Sequence, residues 1–380
     1  QPLAVEAFRS NQAFRIGVIS PHLKNHNGSI WALGWLNQLI GNPDYELFSY
    51  NLGEEQDAGT QQFREISNYR HLPVKPDTAE QVFGRIREDH LDLLIFTDIG
   101  MHPASKIASV LRLAHVQCQG WGHPVTSGSP QMDYFIGSDG MEHDDSNGHY
   151  SEQLVRLPNT GLYYQRPAVV HDGQSLFEKF SLDRDRPLLL SMQSTFKYIP
   201  ANDGLFAEIA VAHPQACMVF VGHMGHGSIL GAFRARLAQV FERYGLQLDQ
   251  HACFLPRLDY ADYMGMFSIA HHTLDTVDWN GGNSSFQSLS LGCPVVTLPT
   301  RFMRGRHTVA MLRQLEVEEL IAADAAEYVA ISSRLLSDRK FYKAIRDRIN
   351  SRQHLLFNDQ AVAIAFKDWL DQLNPSPHHN

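Results

Sequence analysis

An apolar run at Leu274-Asp275-Thr276 passes through Val277-Asp278-Trp279-Asn280 into Gly281-Gly282-Asn283-Ser284-Ser285-Phe286-Gln287, which sets paired glycines and small hydroxyl residues at the start of a helical stretch. Glycine lets backbone approach a ligand closely, and the N–H groups and dipole of a helix N-terminus attract a phosphate. Taken alone, the same residues can also be a helix cap after a turn. The stretch has neither GxGxxG nor Walker spacing, which disfavours a dinucleotide or P-loop site. A second polar cluster, Ser191-Met192-Gln193-Ser194-Thr195-Phe196-Lys197-Tyr198, follows the run from Pro187 to Leu190. A lysine at such a place reaches a diphosphate as a compact point charge, or sits solvated on the surface.

The first half of the chain has two comparable loops. Gly120-Trp121-Gly122-His123-Pro124-Val125-Thr126-Ser127-Gly128 leaves a strand-like run with three glycines, a proline and two hydroxyls, a density that suits a rigid binding loop or a tight turn. Ser20-Pro21-His22-Leu23-Lys24-Asn25-His26-Asn27-Gly28-Ser29 joins a strand to a helix and offers two histidines, able to do acid–base work or simply to decorate a loop. Asp98 and His102, after another strand, are weaker candidates for the same site. Metal chemistry has less support. Gly222-His223-Met224-Gly225-His226 and His271-His272 bring no carboxylate or cysteine at a ligand spacing, and Asp183-Arg184-Asp185 precedes a strand and reads as surface.

Holding such loops requires strands that end where the polar residues begin. Short runs rich in Val, Ile, Leu and Phe alternate with amphipathic stretches, the pattern of parallel sheets covered by helices. Strands are expected at 14–20, 46–51, 91–98, 115–121 and 134–138, with helices near 29–40, 78–89 and 103–113. A second set is expected at 188–192, 218–222, 252–255, 273–276 and 294–298, with helices at 228–244 and 285–291. The tail from Glu327 to Leu373 reads as helical, broken around His354 to Asp359, and Trp369 and Leu373 need an apolar surface, which the first half should provide. The boundary falls near residue 165, giving an N-terminal domain over 1–165 and a C-terminal domain over 166–380 with a tail crossing back. Ligands of open α/β sheets bind beyond the carboxyl ends of strands, where these polar loops lie.

Composition sets the class. A chain of 380 residues suits two domains, each burying its own core. Apolar content of 43% with 19% charged residues is globular, and no apolar run reaches the ~18 residues needed to span a bilayer. The net charge of −9, with scattered basic residues, argues against a nucleic-acid surface. Cys118, Cys217, Cys253 and Cys293 sit in apolar stretches without CxxC spacing, which reads as buried thiols in a reducing, cytoplasmic compartment. The chain begins Gln1-Pro2 without an initiator methionine or signal-peptide pattern, so preceding residues are expected to be missing.

The motifs together, in order, resemble the catalytic region of the O-GlcNAc transferase family, including its bacterial and SPINDLY-like members and the related adhesin-modifying N-glucosyltransferases. The resemblance runs from Phe14 to Asp371. Arg15-Ile16-Gly17-Val18-Ile19-Ser20 is similar to the family's opening strand, and His26 matches its active-site histidine. Trp121 to Gly128, then Asp133-Tyr134, resembles the sugar-pocket loop, and Tyr150-Ser151-Glu152 with Leu157-Pro158 resembles the segment after it. Lys197 matches the diphosphate-contacting lysine. Leu274 to Ser285, then Gly292-Cys293-Pro294-Val295-Val296-Thr297-Leu298-Pro299, resembles the donor half.

That resemblance implies an α/β fold of GT-B type, two Rossmann-like domains facing a central cleft. It implies an inverting, metal-independent transfer of GlcNAc or another hexose from a nucleotide diphosphate to a protein Ser/Thr. The donor would be UDP-linked, UDP-GlcNAc or UDP-glucose, as a substrate, with no cofactor. The partners implied are the acceptor protein and the donor, with tetratricopeptide repeats upstream. Lys197 and His26 would be catalytic, His26 as base or as positioning group. Asp275, Gly281, Gly282, Asn283, Ser284, Ser285 and Gln287 would hold the donor. Trp121, Gly122, His123, Pro124 and Thr126, with Asp98 and His102, would line the sugar and acceptor pocket. Two departures stand out. Gln287 takes the place of an acidic residue that reaches the ribose. Tyr263 and Tyr260 fall where animal members carry a nucleobase-side histidine and lysine. Rival readings are an Asn-directed N-glucosyltransferase, a sugar-nucleotide epimerase on the same architecture and a non-catalytic binding scaffold.

Overall fold

The structure, a computed structural model, describes residues 12–167, 173–222 and 227–374. The chain divides into two compact units, one of residues 1–165 together with 358–380, the other of residues 166–357. The second unit thus ends at Phe357 and not at the end of the chain.

In the first unit seven strands form one parallel sheet: β1 (Phe14–Ser20), β2 (Tyr45–Asn51), β3 (Asn68–His71), β4 (Leu91–Phe96), β5 (Ala114–Gly120), β6 (Tyr134–Ser138) and β7 (Gln153–Leu157). Their order is β3-β2-β1-β4-β5-β6-β7. The central strands are buried on both faces; in Leu91-Asp92-Leu93-Leu94-Ile95-Phe96 even Asp92 is buried, accepting the Arg15 N–H at 2.7 Å. β1 runs beside β2 in the register Ile16↔Leu47 and Val18↔Ser49, and beside β4 with Val18↔Ile95. One core cluster gathers Ile19, Phe48, Tyr50, Phe83, Ile86, Leu94 and Phe96 on one face of the sheet.

The last helix, Gln360–Leu373, belongs to this unit because its apolar positions recur at helical spacing and find aromatic partners here. Val362, Phe366, Trp369 and Leu370 are buried, Phe366 stacks on Trp35 at 4.8 Å, and Trp369 meets Tyr134 edge-on at 5.7 Å. The Tyr45 hydroxyl donates to Asp371 at 2.8 Å. The break before the helix comes from Asn358, in the left-handed region at φ 57°, and from Asp359, whose carboxylate accepts from the Ala361 N–H. Burial of each large side chain contributes about 1.5–3 kcal/mol, so Phe366→Ala, which removes a fully buried ring stacked on Trp35, would loosen this helix.

In the second unit five parallel strands, β8 (Leu188–Ser191), β9 (Cys217–Val221), β10 (Ala252–Leu255), β11 (His272–Leu274) and β12 (Val295–Val296), lie in the order β10-β9-β8-β11-β12. Leu188, Leu190, Val219, Val221, Met264, Met266 and Phe267 form the core beside it. Among the described residues, no helix is long and apolar enough to cross a membrane.

Both sheets reverse direction at one place. From β1 the chain builds outward through β2 and β3, then returns to add β4 on β1's other side. From β8 it builds through β9 and β10, then returns to add β11. At such a switch point the loops leaving neighbouring strands diverge and open a crevice at their carboxyl ends. The loops after β1 and β4, and those after β8 and β11, are therefore where sites should lie in each unit.

Candidate functional site

In the second unit the two switch-point loops meet. Lys197 sits at the end of a short 3-10 turn, Thr195–Lys197, beyond β8. Its ammonium donates to the Gln193 Oε1 at 3.0 Å and to the Asn280 carbonyl at 3.1 Å, so the loop after β8 is tied to the loop after β11. Burial pushes Lys197 down to about 8, against the pull of the nearby Asp275 carboxylate.

The helix Asn283–Ser290 starts beside this ammonium with Gly282 at its N-cap, a residue with no side chain to satisfy the first-turn N–H groups. A positive helix end, a fixed ammonium and glycine backbone make an arrangement that attracts a phosphate-bearing anion. Gly281 sits against side chains that a larger residue would have to displace. A Cβ there would lie 2.4 Å from the Ser284 Oγ and 2.7 Å from the Gln193 Nε2.

Asp275 is buried beneath the loop and holds it from inside. Its Oδ1 accepts from the Gly281 N–H at 2.7 Å, its Oδ2 from the Thr297 hydroxyl at 2.9 Å, and its own carbonyl from the Tyr328 hydroxyl at 2.8 Å. Burial pushes its carboxyl up to about 6, opposed by hydrogen bonds from Thr308, Gly281 and Thr297 and by the Lys197 charge. The Ser285 and Thr308 hydroxyls are 2.8 Å apart, and the Asn280 Nδ2 donates to the Thr276 carbonyl at 2.7 Å. His307, buried at the start of the helix His307–Gln314, is pushed down to about 3 by burial and by Lys197, so its imidazole is neutral.

Of the residues expected to hold a donor, Gly281, Gly282, Asn283, Ser284 and Ser285 form this loop and first turn, and Asp275 supports them from below. Gln287 lies one turn further on, is buried, and is hydrogen-bonded to the phenol of Tyr260. Tyr263 is hydrogen-bonded to Ser284 and donates to the Met192 carbonyl at 3.2 Å. Gln193, Thr297, Thr308 and His307 had no role in the sequence reading. Of these, Gln193 and Thr297 stood within quoted motifs, whereas Thr308 and His307 reach the loop only through the fold.

In the first unit the loops after β1 and β4 bring three histidines together. The rings of His22 and His26 stack at 4.1 Å, and His102 meets His22 edge-on at 5.7 Å. His26 and His102 are both helix N-caps. The Nδ1 of His26 accepts from the Gly28 N–H at 3.1 Å, and that of His102 from the Ala104 N–H at 3.1 Å. A ring nitrogen that accepts carries no proton, so in this geometry each neutral ring holds its proton on Nε2. Asp98 lies beneath them, fully buried, accepting from the Ser20 hydroxyl at 3.1 Å and the Ser105 hydroxyl at 2.9 Å, with the His22 Nε2 at 3.7 Å. Burial raises its carboxyl to about 6. His22 is pushed down to about 3 by burial and by His26 and His102.

The loop after β5 packs beside this cluster. A Cβ on Gly122 would lie 2.0 Å from the Thr97 carbonyl, and one on Gly100 would lie 2.8 Å from the His123 Nε2, so glycine is what lets these loops nest. Trp121 and Pro124 are buried. Thr126 donates to Glu152 at 2.7 Å, and the same carboxylate accepts from the Ser127 N–H at 2.7 Å. Burial raises Glu152, but the hydrogen bonds from Ser127 and Thr126 outweigh it and hold the carboxyl below its ordinary value. Glu152, His22, Ser20 and Ser105 complete a site for which the sequence reading had only some of the residues.

Among the described residues no group of three or more His, Cys, Asp or Glu side chains is arranged to hold a metal ion. His223 and His226 lie outside the described residues. His272 is buried and its Nε2 is 2.8 Å from the Ser332 hydroxyl, while His271 stacks on Tyr342 at 4.1 Å.

Comparison with known proteins gives the same architecture a family. The solved structure of an O-GlcNAc transferase variant from Thermobaculum terrenum superposes with a TM-score of 0.80 at 24% identity, covering 98% of this chain and 68% of that one. An Anabaena protein solved in complex with UDP and glucose superposes with a TM-score of 0.65 at 12% identity, covering 94% of this chain and 100% of that one. These likenesses establish a GT-B type fold. In sequence the chain is 26% identical over 332 residues to the Solanum lycopersicum protein named "Probable UDP-N-acetylglucosamine--peptide N-acetylglucosaminyltransferase SPINDLY", covering 85% of this chain and 34% of that protein. The Arabidopsis thaliana protein of the same name is 25% identical over 334 residues, 85% of this chain and 35% of that one. The chain spans about a third of the length of these relatives. The family model described as "Glycosyl transferase family 41" matches residues 3–177 and 238–365, most of the chain, and the chain belongs to that family.

Proposed function

We propose that this chain is the catalytic part of a protein glycosyltransferase that moves a hexose from a UDP-sugar to a protein Ser/Thr hydroxyl, with inversion and without a metal. One observation carries the reading. The Lys197 ammonium is fixed 3.1 Å from the Asn280 carbonyl at the start of the glycine loop that opens the helix Asn283–Ser290. In the transfer the acceptor hydroxyl oxygen forms a bond to the anomeric carbon and gives up its proton, to the departing diphosphate or to solvent. The bond from that carbon to the diphosphate breaks, and its electron pair leaves on phosphate oxygen. Charge growing on the leaving group is what Lys197 and the first-turn N–H groups stabilise, and preorganised donors of this kind supply a large part of catalysis.

The backbone hydrogen bond to its Nδ1 favours one of the two roles open to His26. With the proton on Nε2 the ring is a hydrogen-bond donor that orients the reacting sugar or acceptor, and acting as base would need another tautomer. The reading of the donor as UDP-linked draws support from the family and from the UDP in the Anabaena structure.

The test is a panel of UDP-sugars, UDP-GlcNAc and UDP-glucose first, given to the chain co-expressed with an acceptor protein and followed by intact-mass analysis with and without a chelator. Hexose added to Ser or Thr in the presence of chelator is the expected result, and NMR of a glycopeptide product would show the inverted anomer. Hexose on Asn would overturn the acceptor. A free nucleotide-sugar altered at one carbon without acceptor would make the chain an epimerase, and binding without turnover a scaffold.

A further inference from the structure

The Lys197 ammonium is one end of a chain of hydrogen bonds whose every direction is determined. Lysine only donates, so the atom of Gln193 that faces the Lys197 Nζ at 3.0 Å is its carbonyl oxygen. The amide nitrogen of Gln193 then donates to the Ser284 Oγ at 2.6 Å. Ser284 has used its oxygen as acceptor, and its own proton goes to the Tyr263 oxygen, with which it is hydrogen-bonded. Tyr263 passes its proton to the Met192 carbonyl at 3.2 Å. The Asn280 carbonyl takes a second N–H of the lysine at 3.1 Å, which leaves one for an anion.

We propose that Gln193 is the positioning residue of Lys197, its side-chain amide clamping the ammonium against the Asn283–Ser290 helix start so that it meets a nucleoside diphosphate in place. The proposal rests on the reading of this loop as the diphosphate site. Gln193 is buried, and the space it occupies is the space a Cβ on Gly281 would enter, so amide and glycine loop fit as one unit. An acceptor on the charged amine also favours its protonated form, opposing the burial that depresses it. Gln193 therefore acts on the position of the lysine and on its charge together.

The experiment is titration of UDP, by calorimetry, into the wild-type chain and into Gln193→Leu, Gln193→Glu and Lys197→Ala between pH 6.5 and 9.5, with thermal unfolding of each variant as the folding control. In the wild type, affinity should fall as pH rises through about 8, where Lys197 loses its proton. Gln193→Leu removes a hydrogen bond to a charged group and should weaken binding roughly ten- to a hundredfold, with the alkaline fall moved to lower pH. Gln193→Glu keeps the shape of the side chain but sets a carboxylate against the ammonium. It should weaken binding by competing with the diphosphate and move the alkaline fall to higher pH.

A merely structural role would leave the alkaline fall where it is. If Gln193→Leu does not fold, the opposite movement expected of Gln193→Glu still decides the matter. Gln193 variants with wild-type affinity and profile, in a background where Lys197→Ala weakens binding, overturn the proposal. If Lys197→Ala binds UDP as the wild type does, the diphosphate-site reading itself fails.

Discussion

The carboxylate of Asp275 accepts the backbone N–H of Gly281 at 2.7 Å from beneath the loop. An acidic residue beside a proposed diphosphate would repel it if exposed. Here it is buried, and its oxygens are taken by Gly281, Thr297 and Thr308. Asp275→Ala would remove the acceptor of the Gly281 N–H and of the Thr297 and Thr308 hydroxyls, at ~1–3 kcal/mol for each donor left unpaired, and the loop would lose its anchor. Asp275→Asn can still accept from Gly281, and its amide can donate to a rotated Thr297 hydroxyl, so its loss should be about 1 kcal/mol. Denaturant unfolding of both variants checks this, with alanine expected to fall well below asparagine.

The acid stability of the fold follows from its neutral histidines. His22, His271 and His307 are pushed down to about 3, 4 and 3, each first by burial, and His272 lies well below its ordinary value. A histidine whose folded value is depressed contributes stability that is complete above the unfolded value near 6.5 and is lost as pH falls toward the folded one. Asp98 and Asp275, both raised to about 6 by burial, act in the opposite sense, their contribution being present below about 4 and lost as pH rises through 6. Four imidazoles outweigh two carboxyls, and each group contributes up to about 1.4 kcal/mol per pH unit. Melting temperature should therefore be nearly flat between pH 7 and 8 and fall between pH 6.5 and 4. His307→Asn should flatten that fall, and a melting temperature that rises on acidification would contradict the balance.

What could be read from sequence depended on whether the signal was local. β1, β6 and β10 are apolar runs bounded by polar residues, and their limits at Phe14–Ser20, Tyr134–Ser138 and Ala252–Leu255 agree with the expected ones. β3, Asn-Tyr-Arg-His at an edge of the sheet and largely exposed, has no apolar run to reveal it. β7 at the other edge is only half-buried. Both exist because a neighbouring strand offers backbone hydrogen bonds. The glycine loop was legible because paired glycines and hydroxyls stand together. The place of Asp275 beneath it was not, since Thr297 and Thr308 reach it from later elements. Gln287 is expected at a ribose from its position in the motif, whereas its hydrogen bond to Tyr260, on a different helix, has no local sequence signal.

His26 combines two roles that one substitution can separate. As an N-cap its Nδ1 accepts from the Gly28 N–H, a contribution of about 1 kcal/mol. As a proposed donor it works through Nε2. Asparagine is a good N-cap but too short to place a donor where Nε2 lies. His26→Asn should therefore be as stable as the wild type yet transfer as slowly as His26→Ala, with UDP affinity little changed in both. Full transfer by the asparagine variant, or loss of UDP binding in either, would show that the residue works elsewhere.

Lys197 is where the proposed chemistry is most exposed to test. The diphosphate leaves with growing negative charge, and the mechanism assigns its stabilisation to one compact ammonium held by Gln193 and Asn280 together with the helix start. Loss of one preorganised donor at a centre of developing charge lowers the rate on the order of 10²- to 10³-fold. Lys197→Ala should lose at least that much transfer while unfolding at close to the wild-type temperature. Lys197→Arg should recover only part. The planar guanidinium is larger than the ammonium and cannot keep both bonds to Gln193 and Asn280 in the same space. Wild-type transfer should also survive a chelator, because in this mechanism the ammonium and the helix end do the work that a divalent cation does elsewhere. Transfer that depends on added magnesium or manganese, or a Lys197→Ala rate within about threefold of wild type, less than ~1 kcal/mol of barrier, would place the stabilisation of the leaving group somewhere other than Lys197.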